Sequence, residues 1–149
     1  MPALTACADV TQDPKLSVKT PTEMRGGLSK AIERYETDFS AMDPLTGEIK
    51  AKVHVPYPNY SGTLATAGGV VFTGFTDGTL MAFDDTSMQV LWKINVGVGF
   101  NAPPMTFEVD GKQYVAILAG LSRIAMNKHA FTPELREQRN QMMLFVFGL

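Results

Sequence analysis

The amino-acid sequence predicts an all-β fold of four-stranded antiparallel sheets, arranged as consecutive blades of a β-propeller. Short β-branched and aromatic runs follow one another between tight turns, and similar segments return at a fixed distance along the chain. The 149 residues include 13 Gly and 9 Pro, which favours a turn-rich chain over a helical bundle. A closed ring needs about four blades or more, so the prediction is a partial propeller.

Residues 61–96 carry the clearest strand pattern. Apolar and β-branched runs alternate there with short turns that include Gly68-Gly69 and Asp77-Gly78. Four short antiparallel strands in this space make one up-and-down sheet, the size of a complete blade. The predicted strands are residues 62–66, 70–73, 79–83 and 89–96.

A repeat supports this interpretation. Residues 82–87 (AFDDTS) are similar to residues 41–47 (AMDPLTG), and Ala41 and Ala82 begin the two copies. Their separation lies within the period of about 40–45 residues that is typical of propeller blades. We therefore predict an incomplete blade with a long polar insertion over residues 1–58, a complete blade over 61–96, and an incomplete last blade with a short helical insertion over 101–149.

The two flanking units are less regular than the central one. Residues 11–30 are polar and rich in Pro, Thr and Gly, so we expect a long excursion there rather than a strand. Thr132 and Pro133 predict the start of a short helix, with Thr132 capping its free N–H groups. The strands predicted in the last unit are residues 101–109, 112–118 and 141–147.

Composition excludes several kinds of partner. The net charge is −2, without the clustered basic excess that nucleic acid or an anionic membrane would require. The single cysteine, Cys7, cannot form an internal disulfide. We expect no membrane span, because no window approaches the length of apolar sequence that crossing needs. We also expect no signal peptide, because the first ten residues lack a basic start and a long apolar run.

The usual catalytic groupings are missing from the sequence. His54 and His129 lie far apart without partners at metal-ligand spacing, so we expect surface or packing roles for both. Cys7 has no nearby histidine signature, which favours a small buried side chain. Residues 97–99 resemble the start of a dinucleotide-binding loop, but the prolines that follow cannot open a helix. Residues 59–61 have the form of a glycosylation sequon.

The candidate binding residues lie where the predicted blades begin. In a propeller the first strand of each blade starts near the central axis, so equivalent positions of successive blades face one shared site. Tyr60 could stack on a flat ligand, and Asn101 can donate and accept hydrogen bonds. Spacing alone favours the alternative, in which Tyr60 packs in the core and Asn101 satisfies turn backbone. The candidate cofactor-binding residues are Tyr60, Ser61, Asn101 and Ala102.

These segments together resemble the quinoprotein alcohol dehydrogenases, which use pyrroloquinoline quinone (PQQ). The resemblance covers nearly the whole chain and is strongest over residues 40–120. The segments that carry it are YSGTLATAGGVVFTG at residues 60–74, then residues 77–78, 82–84, 91–92 and 110–116, the ending MLFVFGL at residues 143–149, and residues 3–9, which look like an earlier strand.

The family's tryptophan-docking motif places Ala, Asp, Thr, Gly and Trp at fixed spacing. Its indole is wedged between adjacent blades, where a large flat side chain buries much area. Met88 stands where Gly is usual in the later copy, and Ala51 stands where Trp is usual in the earlier copy. The matching residues are Ala82, Asp84 and Trp92 in the later copy and Ala41, Asp43, Thr46 and Gly47 in the earlier one.

The resemblance implies an eight-bladed propeller that holds PQQ near its axis beside a Ca²⁺ or lanthanide ion. Such an enzyme oxidises primary alcohols to aldehydes by hydride transfer to the quinone. The resemblance also implies a periplasmic location, a small alcohol substrate and a cytochrome c-type electron acceptor. Many members have Trp where Tyr60 stands, and Leu4 lies close to where some place a cofactor-contacting Asn.

The resemblance leaves two functions open. In the first, the chain is the C-terminal portion of such a dehydrogenase and pairs with the remaining blades of the parent or with itself. The metal ligands and the catalytic Asp of the family would then precede this chain, so we predict no catalytic residue and no metal ligand in it. In the second, the chain is a non-catalytic quinoprotein-like propeller segment used for structure or partner binding. Whether the chain alone is an enzyme remains open at this point.

Overall fold

The computed structural model describes residues 2–5, 8–12, 27–31, 36–122, 125–126, 132–135, 138 and 141–149. Within these ranges the long elements are β-strands in antiparallel sheets, which confirms the predicted all-β fold of propeller-blade sheets. In the part of the chain so described, no helix has the length and apolar character needed to cross a membrane. Cys7 and His129, for which packing or surface roles were predicted, lie outside the described residues.

The strands are grouped into three blade-like sheets and one separate hairpin. The first sheet has the order β1-β4-β5, the second β6-β7-β8-β9 and the third β10-β11-β12, while β2 pairs with β3. In chain order the strands are β1 Pro2–Thr5, β2 Ala8–Gln12, β3 Gly27–Ala31, β4 Glu36–Met42, β5 Ile49–Val55, β6 Thr63–Ala65, β7 Val70–Gly74, β8 Thr79–Asp84, β9 Val90–Asn95, β10 Met105–Val109, β11 Lys112–Ala119 and β12 Met143–Gly148.

The second sheet confirms the four strands predicted between residues 62 and 96. It is an up-and-down meander in which each strand pairs with the next, beginning with Thr63 opposite Thr73. The turn between β7 and β8 depends on Gly78, whose φ is +91°. A Cβ atom at Gly78 would lie 2.9 Å from the backbone nitrogen of Val98, so a side chain has no room there. The chain can therefore pass close to this turn as it leaves the sheet.

Hydrogen bonds in two turns show the repeat directly. Asp43 and Asp84 occupy equivalent places at the ends of β4 and β8. In each turn the carboxylate Oδ1 atom accepts two backbone N–H groups, which is the usual way for Asp to organise a tight turn. The donors are Leu45 at 2.8 Å and Thr46 at 3.1 Å in the first turn, and Thr86 at 3.2 Å and Ser87 at 2.7 Å in the second.

Both turns end on a residue with a left-handed backbone. The φ angle is +74° at Gly47 and +58° at Met88, and each N–H donates to the carbonyl of the Asp four residues earlier at 2.9 Å. This backbone region disfavours a non-glycine residue. The Met88 side chain is 3% exposed and packs between the first and second sheets. Its burial offsets the backbone strain, which explains how Met can stand where the motif has Gly.

Apolar clusters join neighbouring sheets. Phe39 of the first sheet and Phe83 of the second place their ring centroids 5.2 Å apart, and Ala51 is packed against the same cluster. Between the second and third sheets, the Trp92 indole lies edge-on to Phe147, with centroids 5.5 Å apart. Trp92 thus contacts the neighbouring sheet, as the docking motif predicts. The residues that form the buried cluster at this second junction are Leu80, Val98, Phe100, Ile117 and Ala119.

The third sheet contains the three predicted strands, but the first of them is shorter than expected. Residues 101–104 precede β10 and lie outside any strand. Pro103 and Pro104 lack the N–H groups that a strand ladder needs, which explains the late start. The turn predicted at Asp110-Gly111 is present, and both residues have positive φ angles.

The short helix predicted at Thr132 is a single 3₁₀ turn, Pro133–Leu135. The N–H of Leu135 donates to the backbone carbonyl of Thr132 at 2.9 Å. The Thr132 hydroxyl is buried and has no hydrogen-bond partner among the described residues. The predicted side-chain cap is therefore wrong, because the tighter turn closes through the backbone carbonyl.

The prediction of a strand-free excursion over residues 11–30 is wrong at both ends of that segment. Thr11 and Gln12 complete β2, and residues 27–30 belong to β3, with Gln12 opposite Gly27. Pairing of these two stretches satisfies their backbone N–H and C=O groups. Their polar side chains show no strand pattern, so the sequence did not indicate the pairing. Residues 13–26 lie outside the described part of the chain. The early strand expected over residues 3–9 is divided between β1 and β2.

We expect Gly74→Ala to destabilise the chain by roughly 1–3 kcal/mol. A Cβ atom at Gly74 would lie 2.6 Å from the Cβ atom of Phe100, which is fully buried and cannot yield. The matched control is Gly68→Ala in a turn of the same sheet, where the nearest atom is 3.9 Å away. Urea unfolding, followed by the fluorescence of Trp92, measures both variants. Equal losses of unfolding free energy in the two variants would show that the close approach of Gly74 to Phe100 does not limit stability.

We expect Asp84→Asn to flatten the loss of stability that the chain suffers in acid. Hydrogen bonds from the backbone N–H and the hydroxyl of Ser87 lower the pKa of Asp84 below its ordinary value of 3.8. A carboxyl with a lowered pKa in the folded state stabilises the fold above its unfolded value, and the stabilisation is lost as the pH falls through the folded value. Asn keeps the acceptor oxygen without the titration. Melting temperatures of the wild type and the variant, measured from about pH 7 to about pH 3, test this. The prediction is contradicted if the melting temperatures of both proteins fall equally steeply with pH.

Candidate functional site

The four predicted site residues lie directly before the first strands of the second and third sheets. Tyr60 and Ser61 precede β6, and Asn101 and Ala102 precede β10. The Ser61 hydroxyl donates a hydrogen bond to the carbonyl oxygen of Ala102 at 2.7 Å. The donor and acceptor residues are 41 positions apart, which is the blade period. The structure therefore brings the two blade starts together at one place.

The backbone at Gly62 also lies close to the ring of Pro103. A Cβ atom at Gly62 would lie 2.8 Å from the Cβ atom of Pro103. Real side chains essentially never approach so closely, so only glycine fits at this position of the junction. The Ser61 hydrogen bond and the Gly62 contact act at adjacent residues. Together they hold the two blade starts close to each other.

Pro58 and Asn59, the two residues before Tyr60, are buried. The carbonyl oxygen of Pro58 accepts both the backbone N–H of Thr76, at 3.1 Å, and the Thr76 hydroxyl, at 3.0 Å. Asn59 is 8% exposed, and its Nδ2 atom donates to the hydroxyl of Thr73 at 2.9 Å. The sequon nitrogen is thus buried and engaged, so Asn59 does not serve as a glycosylation acceptor in this fold.

Tyr60 and Asn101 are both half-buried. The Oδ1 atom of Asn101 accepts a hydrogen bond from the Ser122 hydroxyl at 3.2 Å. Asn101 is therefore held by a side chain of the loop after β11, rather than by its own turn. The amide keeps its Nδ2 group as a hydrogen-bond donor. A cofactor-binding role for these residues remains a prediction.

A small cavity adjoins the start of the third sheet, next to Asn101 and Ala102. Its volume is about 270 Å³, which is below the 300–1,000 Å³ that is typical of sites enclosing a whole small-molecule ligand. The cavity can hold a small group or one edge of a flat ring system. It is lined by Asn101, Ala102, residues 118–121, Ser122 and Met142.

The chemistry of the site suits one edge of a quinone but not its metal. An aromatic ring at Tyr60 and an amide at Asn101 can stack on and hydrogen-bond to a flat, oxygen-rich cofactor. The four site residues carry no charge that would balance a carboxylate group of PQQ. Over the ranges for which the structure gives positions, no group of three or more His, Cys, Asp or Glu side chains is placed to bind a metal ion. Leu4, which lies close to where some family members place a cofactor-contacting Asn, belongs to β1, and its backbone is opposite Thr37.

A larger cleft lies elsewhere, between the second and third sheets. Its volume is about 770 Å³ and its walls are mainly apolar, with Trp92 and Phe147 both among the lining residues. Ser61 and Ala102 do not line it. The cleft is thus separate from the blade starts and is a feature of the junction that Trp92 bridges.

Sequence patterns did not identify the buried side chains that hydrogen-bond to the residues before Tyr60. The hydroxyl of Thr37 accepts the backbone N–H of Asn59, 22 residues away, at 3.0 Å. Thr73 and Thr76 contact residues 58–59 from the second sheet. All three Thr side chains are fully buried, which is unusual for a polar residue. Their partners are remote in sequence, so no local pattern identifies them.

We expect Ser61→Ala to destabilise the chain by about 1–2 kcal/mol. The substitution removes the hydroxyl that donates to Ala102 and leaves that carbonyl without this donor. The matched control is Thr63→Ala, because Thr63 is exposed in β6, two residues after Ser61. Its expected effect is within about 0.5 kcal/mol. Urea unfolding measures both, and a Ser61→Ala variant as stable as the wild type would mean that the hydroxyl does not join the blades.

Comparison with known proteins places the fold in a family. A family model described as the beta-propeller domain of glucose, ethanol and alcohol dehydrogenases using PQQ matches residues 17–115. The quinoprotein ethanol dehydrogenase of Pseudomonas aeruginosa is 46% identical over 100 residues, which cover 63% of this chain and 16% of that protein. The 1-butanol dehydrogenase (cytochrome c) of Thauera butanivorans is 43% identical over 110 residues, covering 73% and 15%. The chain therefore matches only a small part of the length of these relatives.

Solved structures show the same architecture. A europium-containing methanol dehydrogenase is 30% identical with a TM-score of 0.66, over 78% of this chain and 24% of that chain. The quinohemoprotein alcohol dehydrogenase of Comamonas testosteroni has a TM-score of 0.79 over 99% of this chain and 23% of its own, and at 24% identity it supports the fold alone. With the family model matching well over half of the chain, from β3 through both blade starts, the chain belongs to the PQQ β-propeller domain family of glucose, ethanol and alcohol dehydrogenases.

Proposed function

We propose that this chain forms consecutive blades of a PQQ-dependent alcohol dehydrogenase that oxidises primary alcohols to aldehydes. When bound, the quinone supplies the hydride acceptor for the alcohol carbon. The observation that carries the proposal is the family match over residues 17–115, because it includes both blade starts. In this function, Tyr60, Ser61, Asn101 and Ala102 form part of the wall that faces the cofactor.

Each residue of this wall has a separate task. The Tyr60 ring offers a flat surface for stacking. The Ser61 hydroxyl, which already donates to Ala102, fixes the separation of the two blade starts. The Asn101 amide offers an N–H donor to an oxygen of the cofactor, while Ser122 holds the amide by its Oδ1 atom. These residues bind and orient, and they exchange no proton with the substrate.

The chemical step needs groups that we assign to other parts of a larger dehydrogenase. We propose that the carboxylate base and the ligands of a Ca²⁺ or lanthanide ion lie outside this chain. The support is that the matched region covers 16% of the quinoprotein ethanol dehydrogenase. The europium-containing methanol dehydrogenase shows that a lanthanide occurs in at least one solved neighbour. The chain by itself would then be catalytically incomplete.

The remaining blades are the proposed partner of the open face of the third sheet. Val115 and Ile117 of β11 pack against the second sheet, whereas the residues that alternate with them face the other way. This second face is apolar and exposed, with Met105 57% and Leu144 61% accessible. An exposed apolar sheet face of this kind marks a surface that another element of structure covers. A further blade of the parent protein has the shape to cover this face. Without that blade, a second copy of the chain can cover it.

The electron acceptor and location follow from the same proposal. The 1-butanol dehydrogenase of Thauera butanivorans and the methanol dehydrogenase subunit of Paracoccus denitrificans are both named for cytochrome c. We propose a cytochrome c-type acceptor, a small alcohol substrate and a periplasmic location for the dehydrogenase to which this chain contributes.

A chimeric enzyme tests the proposed function. The matched region of the Pseudomonas aeruginosa ethanol dehydrogenase is replaced by the corresponding residues of this chain, and ethanol-dependent dye reduction is measured with PQQ and Ca²⁺. We expect the chimera to be active and the isolated 149-residue chain to be inactive under the same conditions.

Two results would contradict the proposal. A chimera that is folded but cannot bind PQQ would favour a non-catalytic scaffold segment. Alcohol-dependent dye reduction by the isolated chain would show that it is not catalytically incomplete. A chimera carrying Gly68→Ala serves as the control for handling and folding, because that substitution lies in an exposed turn.

A further inference from the structure

A buried polar clamp holds the loop that carries Tyr60 and Ser61. The Asn59 Nδ2 atom donates to the hydroxyl of Thr73 at 2.9 Å, and the same hydroxyl donates to the carbonyl oxygen of Gly62 at 3.0 Å. Thr73 is fully buried in β7. One hydroxyl therefore holds the residue before the loop and the residue after it. Tyr60 and Ser61 lie between these two points.

Asn59 is also fixed from two other directions. Its backbone N–H donates to the hydroxyl of Thr37 in the first sheet at 3.0 Å. Its Nδ2 atom donates a second hydrogen bond to the carbonyl oxygen of Gly74 at 3.0 Å. That carbonyl can only accept, so the orientation of the amide is determined. Asn59 thus connects the first and second sheets immediately before the candidate site.

The equivalent position in the next blade start is built differently. Phe100 lies 41 residues after Asn59 and is fully buried in the apolar cluster between the second and third sheets. Its backbone N–H donates to the carbonyl oxygen of Phe75 at 3.0 Å. The fold can therefore anchor a blade start with an apolar side chain. The amide at Asn59 is not required merely to close a junction.

The amide at Asn59 is also incompletely satisfied. Its Oδ1 atom is buried and has no hydrogen-bond partner among the described residues. An unpaired buried acceptor disfavours the folded state. A buried polar anchor with an unpaired acceptor is the kind of local exception to full hydrogen bonding that is expected near functional sites.

We propose that Asn59 and Thr73 are positioning residues that set the placement of Tyr60 and Ser61 at the cofactor-facing wall. This inference rests on the proposed function, since it names the buried groups that hold part of that wall. Asn59 and Thr73 act through the loop and do not touch the cofactor.

Fluorine NMR of the full chain labelled with 3-fluorotyrosine tests the placement, with the Tyr60 resonance assigned by Tyr60→Phe. We expect Thr73→Val to shift or broaden the Tyr60 resonance, because Val keeps the shape but loses the hydroxyl. Thr73→Ser keeps the hydroxyl and should restore the wild-type resonance. The control is Thr106→Val, which removes an exposed hydroxyl on β10 that donates to the carbonyl of Tyr114. Asn59→Leu provides a second disruption if Thr73→Val fails to fold.

An unmoved Tyr60 resonance in Thr73→Val or Asn59→Leu would overturn the inference, even if the melting temperature fell. A shift of the same size in Thr73→Ser would do so as well, because the hydroxyl would then be irrelevant. The chimeric dehydrogenase tests the proposed function independently of the positioning of Tyr60. An inactive wild-type chimera counts against the function, whereas the NMR comparison still decides the positioning. In an active chimera, Thr73→Val should raise the apparent dissociation constant for PQQ and Thr73→Ser should not.

Discussion

The close contact between successive blade starts is the constraint on which the other features of the structure depend. Gly62 meets Pro103, Gly74 meets Phe100, and neither glycine position has space for a Cβ atom. The hydrogen bond from Ser61 to Ala102 spans the same junction. Because the sheets approach so closely here, the side chains beside these glycines have few alternative positions. The same contacts pack the sheets and place the candidate site.

The two sheet junctions of the described chain are built from different kinds of contact. The junction between the second and third sheets is mainly apolar, with Phe100 at its centre and Trp92 against Phe147. The junction between the first and second sheets adds a buried polar clamp at Asn59 to its phenylalanine cluster. Buried hydrogen bonds are directional, so a polar clamp specifies orientation more narrowly than an apolar contact does. The loop with the candidate stacking residue is attached to the more directional junction.

Much of the fold was predictable because its signals are local. Alternating apolar runs and the turn at Asp77-Gly78 identify the strands of the second sheet, and the recurring Asp43 and Asp84 turns identify the repeat. The grouping of Tyr60, Ser61, Asn101 and Ala102 followed from the repeat, whereas their cofactor role is still a prediction. The clamp was not predictable, because the hydroxyls of Thr37 and Thr73 meet Asn59 from 22 and 14 residues away. The 3₁₀ turn at Pro133–Leu135 was missed because capping rules do not distinguish it from a short α-helix.

A crystal structure of the chimeric dehydrogenase with PQQ and Ca²⁺ tests the relation between the blade starts and the cofactor most directly. We expect the quinone to contact the ring of Tyr60 and the amide of Asn101, with the Ser61 hydroxyl still bonded to the Ala102 carbonyl. A quinone bound away from these residues, for example in the cleft between the second and third sheets that Trp92 and Phe147 line, would contradict the assignment of the blade starts as the cofactor-facing wall.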